Sequence, residues 1–412
     1  MSFLYLYPDV HVWSDGCRAC FFDTRCQKQS VYVLDHQSRE LVKALKDVRN
    51  LYCIQLTQKT RNLAIVSSLV ENGFGLIVSC AYDERPVAIP PFHMIDYYFS
   101  EKLETYNYRI LDYVKQVTIH CEEDCQHHCS NCSFNYRQIP HCTISKQALR
   151  GNTLDVLVSR IHALKNLEII NFIITTFNKS LFRFASLLHK ESVLSLYYVS
   201  WNNVSMELIK TISAQESSLI KIIIDLSEIP ESQLNQMCEI QKQYHESVIL
   251  VFCVTDKSDL NTLEIKHDGV IRENTEIRCI YTGKEKSHII DKYLLNDSEL
   301  QELNADHNSI FRNREFNTAL FGNLVIHPDG TVRLNENTEV IGTIEDDWTD
   351  MLNKALNKPN PWLMTRNKIE PCSYCIYRDL CPPIRNLELY MGDKLACVDY
   401  YKSLVKPEKD NN

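Results

Sequence analysis

No run of about 18 apolar residues occurs in this sequence, so it offers no candidate membrane-spanning helix. A basic excess is missing too. The formal net charge of −9 leaves no broad cationic surface to release phosphate counterions, which argues against sequence-independent nucleic-acid binding. A phosphate-cradling P-loop and a GxSxG nucleophile elbow are absent. So are internal repeats and low-complexity tracts, apart from the polar end KPEKDNN. The start, MSFLYLYPDVHVWSDG, carries no basic region ahead of its apolar run and does not read as a secretory signal. The expectation is a cytoplasmic protein with a small or peptidic partner, no nucleic acid and no membrane.

Apolar residues make up 44% and charged residues 24%, a balance that folds rather than stays disordered. At 412 residues the chain exceeds what one core usually organises, so two or three domains are expected. Its 17 cysteines would not form a disulfide framework in a reducing compartment, and clustered ones point to metal or redox chemistry.

The N-terminal region alternates short β-type runs at 4–6, 10–13, 19–22 and 31–34, then a helix over 38–45 with Leu41, Leu45 and Val48 at helical spacing. Strands leading into a helix suggest a winged-helix-like module over 1–90. Pro86, Pro90 and Pro91 precede a linker at 91–112. From there apolar β-branched runs recur at 117–119, 167–174, 193–199, 219–226, 248–254 and 277–281, separated by stretches of helical character. That rhythm predicts a buried parallel sheet, an α/β fold of six βα units forming an incomplete barrel over 113–312. The remainder, 313–405, opens with a hairpin turn at Asp329-Gly330 and ends in a cysteine-rich tail.

Directly after the first barrel strand, Cys125, Cys129 and Cys132 are spaced CxxxCxxC. Three thiolates on one tight loop can hold three irons of a 4Fe-4S cube and leave the fourth open to an external ligand. A strand's carboxyl end is where parallel α/β sheets place their ligand sites. The competing reading is zinc shared with His127, His128 or His141, or plain reduced thiols. In the tail, Cys372, Cys375 and Cys381 are spaced CxxCxxxxxC and Cys397 adds a fourth thiolate, a full ligand set for a cluster or a tetrahedral zinc. Cys17, Cys20 and Cys26 repeat the second spacing, but strand alternation points Cys17 and Cys20 to opposite faces, so they read as free thiols. Cys53, Cys80, Cys238, Cys253 and Cys279 sit singly in apolar runs, as small core residues.

The strand, loop and CxxxCxxC together resemble the radical S-adenosylmethionine superfamily. The stretch FGNLVIHPDGTVRLN with CSYCIYRDLCPP is similar to the C-terminal SPASM domain of its peptide-modifying members. Strand, turn and amphipathic helix near the N-terminus resemble the modules that grip a leader peptide by strand addition. Over nearly the whole chain the likeness narrows to the pseudo-radical-SAM proteins of Bacteroidetes peptide maturation. It implies one or two 4Fe-4S clusters, on Cys125, Cys129 and Cys132 and on Cys372, Cys375, Cys381 and Cys397. It also implies S-adenosylmethionine as candidate cofactor, a precursor peptide as partner, and a second maturation enzyme as a further candidate partner. Departures from working enzymes are specific. Thr175, Thr176 and Phe177 replace the Gly-Gly-Glu that receives the cofactor's amino group, and Asn131 replaces an aromatic. Asn335 and Arg385 stand where a full SPASM domain has cysteines. The implied function is a non-catalytic iron–sulfur component that binds a ribosomal precursor peptide, with an active radical enzyme as the alternative.

Overall fold

The computed structural model describes residues 1–79, 109–121, 131–141, 152–175, 179–188, 192–256, 258–259, 274–284, 289, 295 and 297–392. Cys80, Cys125, Cys129, Cys397, Thr176, Phe177 and most of the expected linker lie outside them. The chain divides into two compact units, one of residues 1–105, 295–318 and 364–383, the other of 106–294, 319–363 and 384–412.

In the first unit, β1 (Ser2–Leu6), β2 (Val10–Ser14), β3 (Arg18–Asp23), β4 (Lys28–Val33) and α1 (His36–Lys46) follow in order, then β5 (Cys53–Leu56), α2 (Ala64–Glu71) and β6 (Gly75–Ser79). β1 lies between β5 and β6, antiparallel to both, and β2–β3–β4 form an antiparallel meander. Helix α1 starts where Asp35 caps it, its carboxylate accepting from the Ser38 amide at 2.7 Å. Its Leu41, Val42 and Leu45 are buried. β5 and β6 escape sequence reading because four and five residues carry too little alternation to register.

Strand β3 is buried on both faces, and its period of two sorts the residues. Ala19 and Phe21 enter the core with α1, whereas Cys20 and Phe22 join Trp13, Ile376, Tyr377 and Leu380. Cys17 and Cys26 lie outside β3 and are exposed, whereas Cys20, within it, is buried. The cysteine-bearing segment is thereby packed against β2 and β3. Trp13 Nε1 donates to Asp379 Oδ2 at 2.7 Å, and Asn367 Nδ2 donates to Asp379 Oδ1 at 2.6 Å, so a buried carboxylate is satisfied on both oxygens.

The second unit holds β7 (Gln116–His120), α3 (Cys132–Gln138), α4 (Asn152–Ala163), β8 (Ile169–Ile174), α5 (Lys179–Leu188), β9 (Leu194–Ser200), α6 (Met206–Ser213), β10 (Ser218–Asp225), α7 (Glu231–Gln243), β11 (Val248–Val254) and β12 (Thr275–Cys279). β7 to β12 are parallel neighbours in sequence order. Beyond β7, β13 (Asn323–Ile326) pairs parallel to it, and β14 (Thr331–Arg333) and β15 (Gly342–Thr343) add antiparallel. The Asp329-Gly330 turn is present, and Gly330, at φ +82°, occupies backbone that a side chain would strain.

α4 to α7 all cover one face of this sheet. Leu157, Leu188, Leu208 and Met237 from the four helices share a core with Val117, Phe172, Ile222 and Phe252 from the strands. α8 (Trp348–Leu356) packs there too, through Trp348 and Leu352. A parallel sheet wound on one side only is the arrangement from which a partial barrel is built. Cys238, Cys253 and Cys279 are buried in this unit and Cys53 in the first, as core residues.

Trp13→Phe should lower the stability of the chain by about 2 kcal/mol, because a hydrogen bond to a buried carboxylate is lost. Denaturant unfolding checks this, and limited proteolysis should find 364–383 cut sooner in the variant.

Candidate functional site

The sheet face opposite the helices is where polar side chains collect. In-register neighbours share a face, so Gln116, Thr118 and His120 of β7 align with Asn171 of β8, Lys221 and Asp225 of β10, and Glu276 and Arg278 of β12. Asn171 Nδ2 donates to Thr118 Oγ1 at 3.0 Å, a buried pair within this face. A face so polar in a buried sheet marks a place for a ligand rather than for packing.

At the carboxyl end of β7, His120 is 2% exposed and meets two residues from far along the chain. Its Nε2 lies 2.5 Å from Glu336 Oε1, and the His327 ring stacks on it with centroids 4.9 Å apart and planes 15° apart. His327 Nε2 is 3.1 Å from Glu336 Oε2, near enough for attraction but misdirected for a hydrogen bond. Burial opposes charge on Glu336, yet the two imidazoles outweigh it and hold the carboxyl well below the usual carboxylate range. Local structure fixes all three groups. His327 opens the turn after β13, its amide donating to Thr331 O. Glu336 sits in an Asx turn in which Asn335 Oδ1 accepts from the Asn337 amide at 3.0 Å.

Beside this group, Cys132 at the start of α3 is buried against Ile173 of β8, on the same inner face. The residue before it, Asn131, donates to Asp225 Oδ2 at 3.0 Å, while Ser227 satisfies Asp225 Oδ1. Gln138 at the end of α3 exchanges two hydrogen bonds with the Tyr281 backbone, at 2.9 and 2.8 Å. Thus both ends of α3 are tied to the carboxyl side of the sheet. A cavity of about 450 Å³ opens on the inner face, among Tyr198, Ile223, Glu276, Arg278, Gln138 and Arg385. That is a ligand-sized volume.

Of the sequence-predicted thiols, Cys132, Cys372, Cys375 and Cys381 lie among the described residues. Arg366 Nη1 is 3.5 Å from Cys372 Sγ, and the Tyr377 amide donates to Cys375 Sγ at 3.4 Å. Burial and the neighbouring Cys372 sulfur push the Cys375 thiol up. His141 is buried. Among the described residues, the one group of three metal-ligand atoms within 4.8 Å of one another is His120, His327 and Glu336, which sequence reasoning missed. His120 ends a strand and His327 opens a turn, positions that are legible singly, but nothing local joins them.

Lys221 Nζ and Arg278 Nη2 each lie 2.6 Å from Glu276 oxygens beside the cavity. Burial opposes ionisation of Glu276, and these cations outweigh it, so the carboxyl titrates below its ordinary value. The depressed value contributes stability that is present above the unfolded glutamate pKa and lost as pH falls through the folded one. Lys221→Met should therefore cost about 1–2 kcal/mol at pH 7, and the deficit should shrink as pH drops below about 4.5. Unfolding measured across pH checks both parts.

No protein family and no curated protein matches this chain. Solved structures similar to it include Streptococcus suis SuiB bound to S-adenosylmethionine, at 13% identity over 92% of this chain and 94% of that one, with a TM-score of 0.36. SuiB bound to precursor peptide SuiA gives 12% identity over the same shares and a TM-score of 0.43. Native anSMEcpe with bound AdoMet gives 13% identity over 70% of this chain and 98% of that one, with a TM-score of 0.43. Likeness this distant leaves function to be argued from the chain's own residues.

Proposed function

We propose that this protein is an iron–sulfur component of ribosomal peptide maturation that holds a precursor peptide on a degenerate radical-S-adenosylmethionine scaffold. The observation that carries this reading is the position of Cys132, the last cysteine of the CxxxCxxC spacing. In sequence the spacing follows the carboxyl end of β7, and Cys132 packs with Ile173 and Tyr198 on the inner face, where Tyr198 also lines the cavity of about 450 Å³. Parallel α/β sheets bind their ligands at this end. Where bound, a cluster on Cys125, Cys129 and Cys132 supplies an iron with an open coordination position.

The remaining residues favour binding over catalysis. Thr175, buried just past β8, stands where the resemblance expects the Gly-Gly-Glu, and threonine offers neither a carboxylate nor a bare backbone. Asn335 Nδ2 donates to Asn386 Oδ1 at 2.6 Å, next to Arg385, so amides meet where a SPASM domain would use thiolates. The second set, Cys372, Cys375 and Cys381 with Cys397, remains a candidate cluster site. Donors from Arg366 and Tyr377 already face two of its sulfurs, which suits thiolate ligands.

For the peptide, β4 supplies a candidate edge. Among the described residues it pairs with β3 alone, and its last residue, Val33, is 85% exposed. An extended leader can add there as a further strand. The intact CxxxCxxC favours the second reading, an active radical enzyme.

The test is anaerobic reconstitution of the full chain, counting iron and sulfide, with a peptide titration and an assay for 5′-deoxyadenosine. About four to eight irons per chain are expected, with peptide binding and no multiple-turnover product. Cys372→Ala should lose iron and stability together, since ligand loss removes binding energy that folding of the segment uses. Product formed over many turnovers and abolished in Cys129→Ala would establish the radical enzyme instead. Stoichiometric zinc on the tail thiols without iron would refute a cluster there.

A further inference from the structure

We infer that His120, His327 and Glu336 form a binding site for one divalent first-row transition ion, separate from any cluster on the cysteines. Two imidazoles and one carboxylate are a donor set that suits zinc or ferrous iron, and three protein ligands leave a coordination position open. The geometry is that of a gathered site. All three ligand atoms lie within 4.8 Å of one another. At metal–ligand bonds of about 2.1 Å, neighbouring ligand atoms stand roughly 3.0–3.5 Å apart. His327 Nε2 and Glu336 Oε2, at 3.1 Å, already have that spacing. His120 Nε2 and Glu336 Oε1, at 2.5 Å, need to open by about half an ångström, and the stacked His120 and His327 rings, with planes 15° apart, must tilt for both Nε2 lone pairs to meet one ion.

A purely structural strut accounts for the group less well. A glutamate bridging two histidines would satisfy both carboxylate oxygens and both facing nitrogens. Here His327 Nε2 and Glu336 Oε2 are buried and have no hydrogen-bond partner, although they face each other across 3.1 Å. An ion between them would satisfy both lone pairs at once, and buried polar atoms without partners are rare in folded proteins. Side-chain exposure is 2% at His120, 8% at Glu336 and 16% at His327, and the facing atoms His327 Nε2 and Glu336 Oε2 are themselves buried.

Three different local structures converge on this point: the end of β7, the turn after β13 and the Asx turn at Asn335. Each is fixed by its own hydrogen bonds, so the three ligand side chains are gathered before an ion arrives and only their orientations need adjust.

The experiment adds cobalt(II) chloride to the anaerobically purified full chain and measures binding and X-ray absorption at the cobalt edge, which iron in a cluster does not obscure. One cobalt per chain is expected with nitrogen and oxygen neighbours only, the outer-shell scattering of two imidazoles, and a rise in thermal stability. His327→Asn and Glu336→Gln should each weaken that binding by about a hundredfold or more. Cobalt that binds only with sulfur neighbours, or not at all at saturating concentration, overturns the proposal. So does equal binding by wild type and both variants. The wild-type spectrum decides even where a variant fails to fold. Failure here leaves the iron–sulfur reading standing, because that reading is judged on iron, sulfide and the cysteine variants.

Discussion

The pairing of β13 on β7 is the constraint on which the inner-face centre depends. Ile326 aligns with Ile119 in parallel register, which puts His327 beside His120. A slip of one residue would send every β13 side chain to the other face, burying His327 among the helices and lifting Ile326 into the polar face. The apolar alternation prevents the slip. Leu324 and Ile326 belong to the helix-side core with Val117 and Ile119, so the register that buries them also aims the histidines inward. Packing on one face thereby sets chemistry on the other.

The same division runs across the whole parallel sheet. Its helix-covered face is almost wholly aliphatic and aromatic, whereas the opposite face carries carboxylates, amides, imidazoles and a lysine, several of them paired. Such pairs are costly to bury and stay satisfied only in one arrangement, so they specify the face more sharply than apolar contacts could. The hydrogen bonds of Asn131 and Gln138 hold α3, and with it Cys132, against that face. Asn131 is thus a strut between Cys132 and β10, a role a phenylalanine at that position could not take.

In the first unit the comparable fixed point is the buried Asp379 carboxylate, shared between Trp13 and Asn367. It joins the cysteine-bearing segment to a strand more than 360 positions earlier in the chain. The thiol of Cys375 therefore rests on a hydrophobic floor that includes Cys20 and Phe22. Burial around Cys375 favours its protonated form, so a metal bound there must displace that proton as it enters.

Much of this was legible in the residues themselves. Six apolar runs spaced by helical stretches foretold β7 to β12, because local hydrophobic period and β-branching carry that signal. Asp329-Gly330 foretold its turn. β5 and β6 were illegible because short strands flanking a central one draw their stability from cross-strand partners rather than from their own pattern. The spacing of cysteines in sequence likewise named candidate ligands, since residues a few positions apart must be near in space. Distance along the chain hid the rest. His120 and Glu336 are 216 positions apart, and their meeting is decided by strand register and a turn that no local propensity encodes. Residue chemistry and local period were written in the sequence, and only the tertiary hydrogen-bond ladder decided which distant side chains would share a site.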